Sequence, residues 1–296
     1  MPDLWMNDLF VAETQTAAFK PDDAVPSHHR DATVRERRDD LSGVIEDLSP
    51  DVVVLVEGPT QTDELQLFVD EDVQGEWRAE VQTSPGMSQC LGVAARVDTD
   101  RFEDPPIERF ETGEIEVFGG FLTDVDEDGI QEQYGFERKP VYAEVKPKEG
   151  RAFRVLGLHL KSKGIFTSYG WSKWWQIADA NRRKILAQAS QLRLQFLDPY
   201  LTADETREIP LIVCGDINDG PGLDASEKRL FGSGVERLMG TVWKPRLCLR
   251  NALFEALDED DQAEFQLSTK IPSASGSVLS NNDDKCGSWH ILNQNG

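Results

Sequence analysis

Three segments of this 296-residue chain end an apolar stretch with polar side chains that are suited to phosphate chemistry. The first is the run Val52–Val56, which is followed by Glu57 and then by a Gly-Pro pair. A carboxylate at the end of a buried strand is a good hard-oxygen ligand for magnesium. An acidic residue that simply meets solvent where a sheet stops is the alternative, so Glu57 is a weak signal by itself.

The second segment is Val155–Gly164, which carries the sequence His-Leu-Lys-Ser-Lys from position 159 to position 163. Because side chains alternate along a strand, His159 and Lys161 share one face while the leucines beside them face the core. A histidine flanked by Lys161 and Lys163 suits a phosphate site, where it can donate a hydrogen bond to the oxygen that gains charge. A core histidine bonded to backbone is the alternative, and the two lysines favour the functional role.

The third segment begins with the apolar run Leu211–Cys214 and continues as Gly215, Asp216, Ile, Asn218 and a turn. Asp216 can orient and deprotonate an attacking water, and Asn218 can hold the phosphate and the Asp216 carboxylate in place. A polar turn after a buried strand would explain any one of these residues. Such a turn is a poorer explanation for Gly215, Asp216 and Asn218 occurring together in this order.

Alternating strands and helices must position these groups. Thr33 and Glu36 form a capping box that predicts a helix ending before Pro50, and Thr60 is a candidate cap for a second helix to about Val69. A long helix is predicted from Trp171 to Leu197. Strands are predicted at 52–56, 92–97, 115–122, 141–145, 153–160 and 209–214. This mixture predicts an α/β sandwich, and the absence of GxGxxG and GxxxxGK[ST] motifs excludes the simplest nucleotide-binding folds.

The order of these groups resembles the endonuclease/exonuclease/phosphatase superfamily, which has a pancreatic-type deoxyribonuclease-like fold. The likeness to bacterial nuclease-like members is greatest in His159–Gly164. The resemblance implies an α+β four-layer αββα sandwich of two mixed β-sheets flanked by helices, formed by residues 1–296 as a single domain. It also implies Mg²⁺ or Mn²⁺ held by Glu57, with Asp216, Asn218 and His159 around the scissile phosphate.

Two further residues take roles through the same resemblance. Arg138 precedes a predicted strand, where relatives often place an arginine, so it is expected to face the substrate together with Lys161 and Lys163. Asn7 matches the metal-holding asparagine that ends the first strand of the family, although little of that strand is present.

The C-terminal segment Ser288–Leu292 reads Ser-Trp-His-Ile-Leu and departs from the family pattern. We interpret it as the family's Asp-His-Ile-Leu-like strand with its Asp replaced or deleted and the final Asp-His pair missing. The other interpretation makes it the final Ser-Asp-His motif, with Trp289 in place of the Asp and His290 as the catalytic histidine. The domain is thus expected to be curtailed at both ends, which leaves a catalytically impaired or non-catalytic relative as an alternative.

The formal net charge of −23 opposes binding of a polyanion. Its distribution changes that conclusion, because residues 138–184 contain twelve Lys and Arg against three acidic residues, a local +9 that leaves −32 for the rest. A basic segment in an acidic chain predicts a focused site for nucleic acid or another phosphoester. An acidic surface that serves only solubility, with a chance basic cluster, is the alternative.

The remaining features set the expected context. No apolar run approaches the roughly 20 residues that span a bilayer, and Met1–Phe10 lacks the pattern of a secretory signal. The four cysteines are far apart and are expected to be buried free thiols. We therefore expect a cytoplasmic monomer that does not bind membranes.

Two motifs have competing explanations. Trp171, Trp174 and Trp175 can stack on bases, although a role in seating a helix on a sheet is favoured. Asp124–Gly129 matches the first half of an EF-hand loop, but its twelfth position is Gly135, so the tip of a hairpin is the better explanation.

Together these patterns predict a metal-dependent phosphodiester hydrolase that is nuclease-like. A phosphatase that acts on a small phosphoester, such as an inositol phosphate, is the alternative within the same fold. DNA and RNA, and endo and exo action, are not distinguished by the sequence.

Overall fold

The computed structural model describes residues 4–12, 16–165, 170–220, 230–252 and 289–292. The chain divides into two compact units that interleave in sequence. Unit 1 comprises Met1–Ile115 and Glu137–His159, and unit 2 comprises Glu116–Phe136 and Leu160–Gly296. The α+β class predicted from the sequence is confirmed. The assignment of residues 1–296 to a single domain stays a prediction.

The helices and strands follow one another in a mixed order. In chain order they are a short 3-10 helix Met6–Leu9, α1 Val34–Leu48, β1 Val52–Gly58, α2 Thr62–Asp72, β2 Trp77–Gln82, β3 Cys90–Arg96, β4 Phe102–Phe110, β5 Phe121–Thr123, β6 Glu132–Tyr134, β7 Val141–Pro147, β8 Phe153–His159, α3 Trp171–Leu192 with a π-helical extension Arg193–Leu197, α4 Asp198–Thr202, β9 Leu211–Asp216, α5 Gly234–Met239, β10 Arg250–Asn251 and β11 Trp289–Leu292.

Unit 1 is a two-sheet sandwich. β3 pairs antiparallel with both β1 and β2, and β7 pairs antiparallel with both β4 and β8. β1 lies in the middle of the packing: Val53 and Leu55 contact the core formed with α1 and α2, whereas Val54 contacts the core that includes Ile107 of β4 and Val141 of β7. The continuous apolar run of β1 is therefore explained by burial on both faces, as predicted.

The first helix of unit 1 forms as the sequence predicts. Thr33 and Glu36 make the capping box: the Thr33 Oγ1 accepts from the Glu36 N–H, and the Glu36 carboxylate accepts from the Thr33 N–H. The second helix begins one residue later than expected, because Gln61 is its N-cap and the Thr60 N–H and hydroxyl both donate to Glu64.

Two strands of the structure differ from the predicted pattern. The segment 115–122 is not one strand, because Glu116–Phe118 form a 3-10 turn and only Phe121–Thr123 extend. Phe118 is buried against other aromatic rings, so its apolar character reflects a turn contact rather than strand alternation. β4 was not predicted from the sequence, because the strand contains Pro105 and Pro106, which have no N–H to donate to a neighbouring strand. It tolerates them because it lies at the end of its sheet and its register with β7 shifts across them.

Unit 2 contains the sheet order β10-β11-β9 and the separate hairpin β5-β6. The loop 124–131 joins β5 to β6, so the Asp-rich motif is the tip of a hairpin, as expected. The second strand of that hairpin is Glu132–Tyr134 and not the expected strand 141–145. Trp289–Leu292 pairs antiparallel with β9, with Trp289 opposite Gly215. The segment is therefore a strand, which our preferred interpretation of it requires.

Three tryptophans near the start of α3 contradict the favoured explanation of them as core residues. Trp171 is 74% exposed and Trp175 is 58% exposed, while Trp174 is half-buried. The helix is seated instead by residues further along it, including Ile185, Ala189 and Leu192. Apolar spacing predicted the helix, but it did not predict that the first turns, which carry the tryptophans, are exposed while the later turns are buried.

The cysteines largely fit the expectation. Cys90 and Cys214 are buried free thiols and Cys248 is a half-buried one, while Cys286 lies outside the described residues. None of the helices in the described parts of the chain is long and apolar enough to cross a membrane.

Candidate active site

Glu57 lies in a bulge at the end of β1. The pairing with β3 runs regularly from Val52 to Leu55 and then shifts, so that Gly58 faces Cys90. Glu57 adopts a left-handed backbone conformation, with φ of 56°. Such a conformation is strained for a residue other than glycine, and bulges of this kind redirect side chains. The bulge thus fixes the direction of the Glu57 side chain, and the Oε2 atom of its carboxylate is buried.

A chain of hydrogen bonds fixes this carboxylate. The Gln89 Nε2 donates to the Glu57 Oε1 at 2.7 Å, and the Gln89 Oε1 accepts from the Arg138 Nε at 3.0 Å and from its Nη2 at 2.5 Å. Gln89 is 5% exposed, so its orientation is determined by these partners. The structure therefore links two predicted residues, Glu57 and Arg138, through one that the sequence analysis missed.

Sequence reasoning had only a faint signal for Gln89. It directly precedes the buried strand β3, whose first residue Cys90 faces Gly58 across the bulge. The proximity of Gln89 to Glu57 depends on that register, which no local pattern reveals.

His159 ends β8 and is 5% exposed, with its Nδ1 atom buried. Burial disfavours the imidazolium and the Arg138 guanidinium repels it, which lowers the pKa of His159 to about 3. The ring is therefore neutral at neutral pH and has one N–H donor. The neutral ring can donate a hydrogen bond to an oxyanion, but it has no imidazolium proton to transfer.

The shifted pKa of His159 predicts a pH dependence of stability. The unfolded chain takes up this proton below about pH 6.5, whereas the folded protein takes it up only near pH 3. The contribution is fully present above pH 6.5 and is lost as the pH falls, so the free energy of unfolding should drop by about 3 kcal/mol between pH 7 and pH 4. Urea unfolding at a series of pH values measures this slope.

The variant for that measurement is His159→Gln, which should flatten the acid limb, because the titrating group is gone. Equal slopes for wild type and His159→Gln would show that the buried ring does not control acid stability.

Asn7 and Glu57 each offer an oxygen of the kind that binds a divalent metal. Asn7 lies in the 3-10 helix that contacts β1, and its Oδ1 atom is buried with no hydrogen-bond partner among the described residues. An unsatisfied buried amide oxygen is costly. A carboxylate and an amide oxygen are the hard ligands that Mg²⁺ and Mn²⁺ prefer.

Asp216 and Asn218 form a tight turn at the end of β9 in unit 2. The Asp216 Oδ1 accepts from the Asn218 N–H at 2.8 Å, and Asn218 is left-handed with φ of 54°. The Asn218 Nδ2 donates to the Leu160 carbonyl at 3.0 Å, while the Leu160 N–H donates to the Asp216 carbonyl at 2.9 Å. The turn is therefore fastened to Leu160, which directly follows His159 in the chain.

The two predicted lysines have different environments. The Lys163 Nζ lies 2.5 Å from the Asp219 Oδ1, and Asp219 is 4% exposed and also accepts from the Gly234 N–H. The charge of Lys163 is thus largely neutralised inside the unit. Lys161 is half-buried, and no acidic side chain of the described residues forms an ion pair with it. Lys161 is the better candidate to contact a phosphate.

The Lys163–Asp219 pair should be a structural one. Asp219→Ala removes a buried carboxylate that pairs with Lys163 and accepts from the Gly220 and Gly234 N–H groups, so the free energy of unfolding should fall by about 2–4 kcal/mol. Denaturant unfolding measures the loss. Asp204→Ala, which removes an exposed acid paired with Arg207, is the matched control and should cost less than about 1 kcal/mol. A similar loss in both variants would rule out a buried structural pair.

The basic segment 138–184 is less positive than its sequence indicates. At least five of its twelve basic residues form ion pairs within the protein, which are Lys146–Glu108, Lys148–Asp100, Arg154–Glu144, Lys163–Asp219 and Arg183–Asp126. Four of these acids lie outside the segment, so the local +9 counted from the sequence is partly cancelled by acids from elsewhere in the chain.

The structure brings the predicted residues together in two groups. Unit 1 holds Glu57, Arg138 and His159, and unit 2 holds Asp216 and Asn218. Within each group the structure supplies the contacts given above. The convergence of the two groups on one phosphate stays a prediction.

Comparison with known proteins gives resemblances of fold. No family model and no curated protein matches this sequence. The human Nocturnin catalytic domain is similar at 17% identity and a TM-score of 0.45, covering 88% of this chain and 75% of that one. D. rerio TDP2 in complex with single strand DNA product has 16% identity, a TM-score of 0.33 and coverages of 67% and 59%. ANGEL2, a 2′,3′-cyclic phosphatase, has 15% identity, a TM-score of 0.34 and coverages of 63% and 45%.

These structures belong to the endonuclease/exonuclease/phosphatase superfamily, which is the one that the sequence motifs resemble. This chain spans less than two thirds of the TDP2 and ANGEL2 structures. Because the identities and TM-scores are low, the roles of individual residues depend on the contacts within this chain.

Proposed function

We propose that this chain is a divalent-metal-dependent phosphodiester hydrolase with nuclease-like specificity. The observation that carries the proposal is Glu57, a carboxylate held in a strained left-handed bulge and fixed by Gln89 and Arg138. Strain of this kind persists only where the surroundings impose it, and it concentrates at functional sites. A carboxylate that merely ended a strand would have no need of such a network.

Asp216 is the proposed general base. Its carboxylate accepts a proton from the attacking water as the new O–P bond forms, and the bond from phosphorus to the leaving oxygen breaks. The leaving oxygen then takes up a proton, so the products are a phosphate monoester and an alcohol. The Asn218 N–H holds the Asp216 Oδ1 and so keeps the base from rotating away.

The other side chains stabilise charge on the phosphate. Neutral His159 donates a hydrogen bond to a phosphoryl oxygen as negative charge develops there. Arg138 and Lys161 supply positive charge, and Arg138 has a geometry suited to contacting two oxygens at once. Lys163 was expected to contact substrate as well, but its pairing with Asp219 makes it a positioning residue in this proposal.

Glu57 and Asn7 would hold the metal. A bound Mg²⁺ or Mn²⁺ supplies Lewis-acid polarisation of the phosphoryl oxygen. The Gln89 bond leaves the Glu57 carboxylate oriented in advance, which lowers the cost of assembling the ligands.

Cleavage of plasmid and oligonucleotide substrates in Mg²⁺, with and without chelator, tests the proposed function. We expect cleavage that the chelator abolishes. Absence of cleavage in both Mg²⁺ and Mn²⁺ would instead support a non-catalytic relative.

Metal binding by Glu57 can be measured without any turnover. Glu57→Gln keeps the shape of the side chain but removes its charge, so the affinity for Mn²⁺ should fall by about a hundredfold or more. Isothermal titration calorimetry of the wild-type protein and the variant gives the ratio. Glu80→Gln removes a carboxylate paired with Arg109 and should retain wild-type affinity. If Glu57→Gln also retains it, the metal site lies elsewhere.

A phosphatase acting on a small phosphoester is the alternative function. The internal neutralisation of five basic residues favours it, because fewer cations are left for a long polyanion. Hydrolysis of an inositol phosphate faster than that of any oligonucleotide would decide for this alternative.

A further inference from the structure

Two exposed tryptophans lie side by side on α3. Trp171 and Trp175 are four residues apart, a spacing that makes them neighbours on a helix surface. They are 74% and 58% exposed, although large aromatic side chains are usually mostly buried. Lys173 lies between them in sequence and is exposed, and no acidic side chain of the described chain forms an ion pair with it. Trp171 and Trp175 together form an exposed aromatic surface, whereas Lys173, two residues from each, projects from another side of the helix.

α3 also forms hydrogen bonds with residues 161–164, the segment that follows Leu160 and so leads away from Asp216, the proposed general base. The Lys161 N–H donates to the Gln188 Oε1 at 2.9 Å, and the Asn181 Nδ2 donates to the Gly164 carbonyl at 2.9 Å. Residues 161–164 therefore run along α3 towards its N-terminal half. Leu160, at the start of this segment, is bonded to the turn that carries Asp216 and Asn218.

The distance along the helix fits a chain of several nucleotides. Trp175 precedes Gln188 by thirteen residues (188 minus 175), which is about 20 Å of α-helix. A stacked strand covers that distance with about six nucleotides at about 3.4 Å each. A strand with one phosphate near Lys161 would therefore bring later bases to the tryptophans.

We propose that Trp171 and Trp175 form a stacking platform for the bases of a single-stranded polynucleotide. The inference rests on the proposed function, since it extends the substrate away from the phosphate that Asp216 attacks. Exposed aromatic rings combined with a positive path are the features that bind single strands regardless of sequence. Charge complementarity identifies the occupant, because Lys161, where this path begins, forms no ion pair with an acidic side chain of the described residues.

Binding of a fluorescein-labelled oligothymidylate of 20 nucleotides, measured by anisotropy with chelator present to prevent cleavage, tests the platform directly. The double variant Trp171→Ala/Trp175→Ala should bind at least about tenfold more weakly than the wild-type protein, since each stacked base contributes about that much. Trp243→Ala is the matched control, because Trp243 is 88% exposed in the same unit but lies outside α3, and it should bind like wild type. Both tryptophans of the platform are exposed, so alanine should not disturb folding.

Salt dependence separates stacking from charge. The double tryptophan variant should keep the wild-type slope of affinity against salt, whereas Lys161→Ala should reduce that slope by about 0.7. An unchanged affinity in the double variant, or an equal loss in Trp243→Ala, overturns the platform. A wild-type protein that does not bind the oligonucleotide overturns it too, as does a dimer in sedimentation that the double variant converts to monomer.

Hydrolysis assays keep the two proposals apart. Cleavage of the 20-mer with a KM that the double variant leaves unchanged would retain the proposed function and remove the platform. Tryptophan-dependent binding without any cleavage would retain the platform and remove the proposed function. When both hold, the double variant should raise KM for the 20-mer at least about tenfold while its hydrolysis of thymidine 5′-(p-nitrophenyl phosphate), which is too short to reach α3, stays at the wild-type rate.

Discussion

Replacing Asp216 by alanine should lower kcat for oligonucleotide cleavage by about a thousandfold. A positioned general base contributes about 10²–10⁴ in rate, and the Asn218 N–H holds this carboxylate in one orientation. KM should change little, because the base acts in the chemical step rather than in substrate binding. Steady-state kinetics in Mg²⁺ measure both constants.

Asp216→Asn is the sharper variant. It keeps an oxygen that can accept the Asn218 N–H, and so keeps the turn, but it cannot take up a proton at neutral pH. It should be nearly as slow as the alanine variant, while Asp40→Asn, at an exposed position on α1, should be fully active. Near wild-type activity of Asp216→Asn would remove Asp216 from the role of base.

The same substitution tests whether the two groups of residues converge. If Glu57 and Asp216 act on one phosphate, the double variant Glu57→Gln/Asp216→Asn should be scarcely slower than the slower single variant. Residues that act as a unit are strongly non-additive, whereas independent sites add their effects. Multiplied rate losses in the double variant would place Glu57 and Asp216 in separate sites.

Local patterns in the sequence predicted the elements that carry the chemistry. The capping box at Thr33 and Glu36 defines the start of α1, and the apolar runs before Glu57 and Asp216 define β1 and β9. In each case the signal spans fewer than ten residues and needs no distant partner. The polar residue after each run could then be identified as the end of a strand.

Long-range contacts were beyond reach of the same patterns. Gln89 lies beside Glu57 because of the register of β1 with β3. The charge of Lys163 is neutralised by Asp219, which lies 56 positions further along the chain (219 minus 163). Whether Trp171 and Trp175 are buried or exposed depends on how far along α3 the neighbouring elements cover it. Each of these outcomes is decided by tertiary packing rather than by spacing.

The electrostatics of the chain show the same limit. Counting charges along residues 138–184 treats every lysine and arginine as available to a substrate, yet at least five of them are bound to acids, four of which lie in other segments. Positive charge that an anion can use is therefore concentrated at fewer residues, including Lys161 and Lys173. The field at the proposed site is more local than the sequence implied.

Replacing His159 by alanine should lower kcat by about a hundredfold or more, because it removes a hydrogen-bond donor aimed at charge that develops in the transition state. His159→Gln retains an N–H donor and should recover part of that loss. If His159 had a purely structural role, two variants of equal stability would have equal kcat. The unfolding free energies of both variants are therefore measured alongside the kinetics.

The pH profile distinguishes a neutral donor from a protonated acid. With a pKa of about 3, His159 stays neutral across the assay range, so the profile of kcat/KM between pH 5 and pH 9 should have the same shape in wild type and in His159→Gln. A histidine that worked as a general acid would make the wild-type rate fall as the pH rises through its pKa, and glutamine would abolish that limb. Loss of a titration between pH 5 and pH 8 in His159→Gln would therefore contradict the neutral-donor role and show that the ring is protonated in the working enzyme.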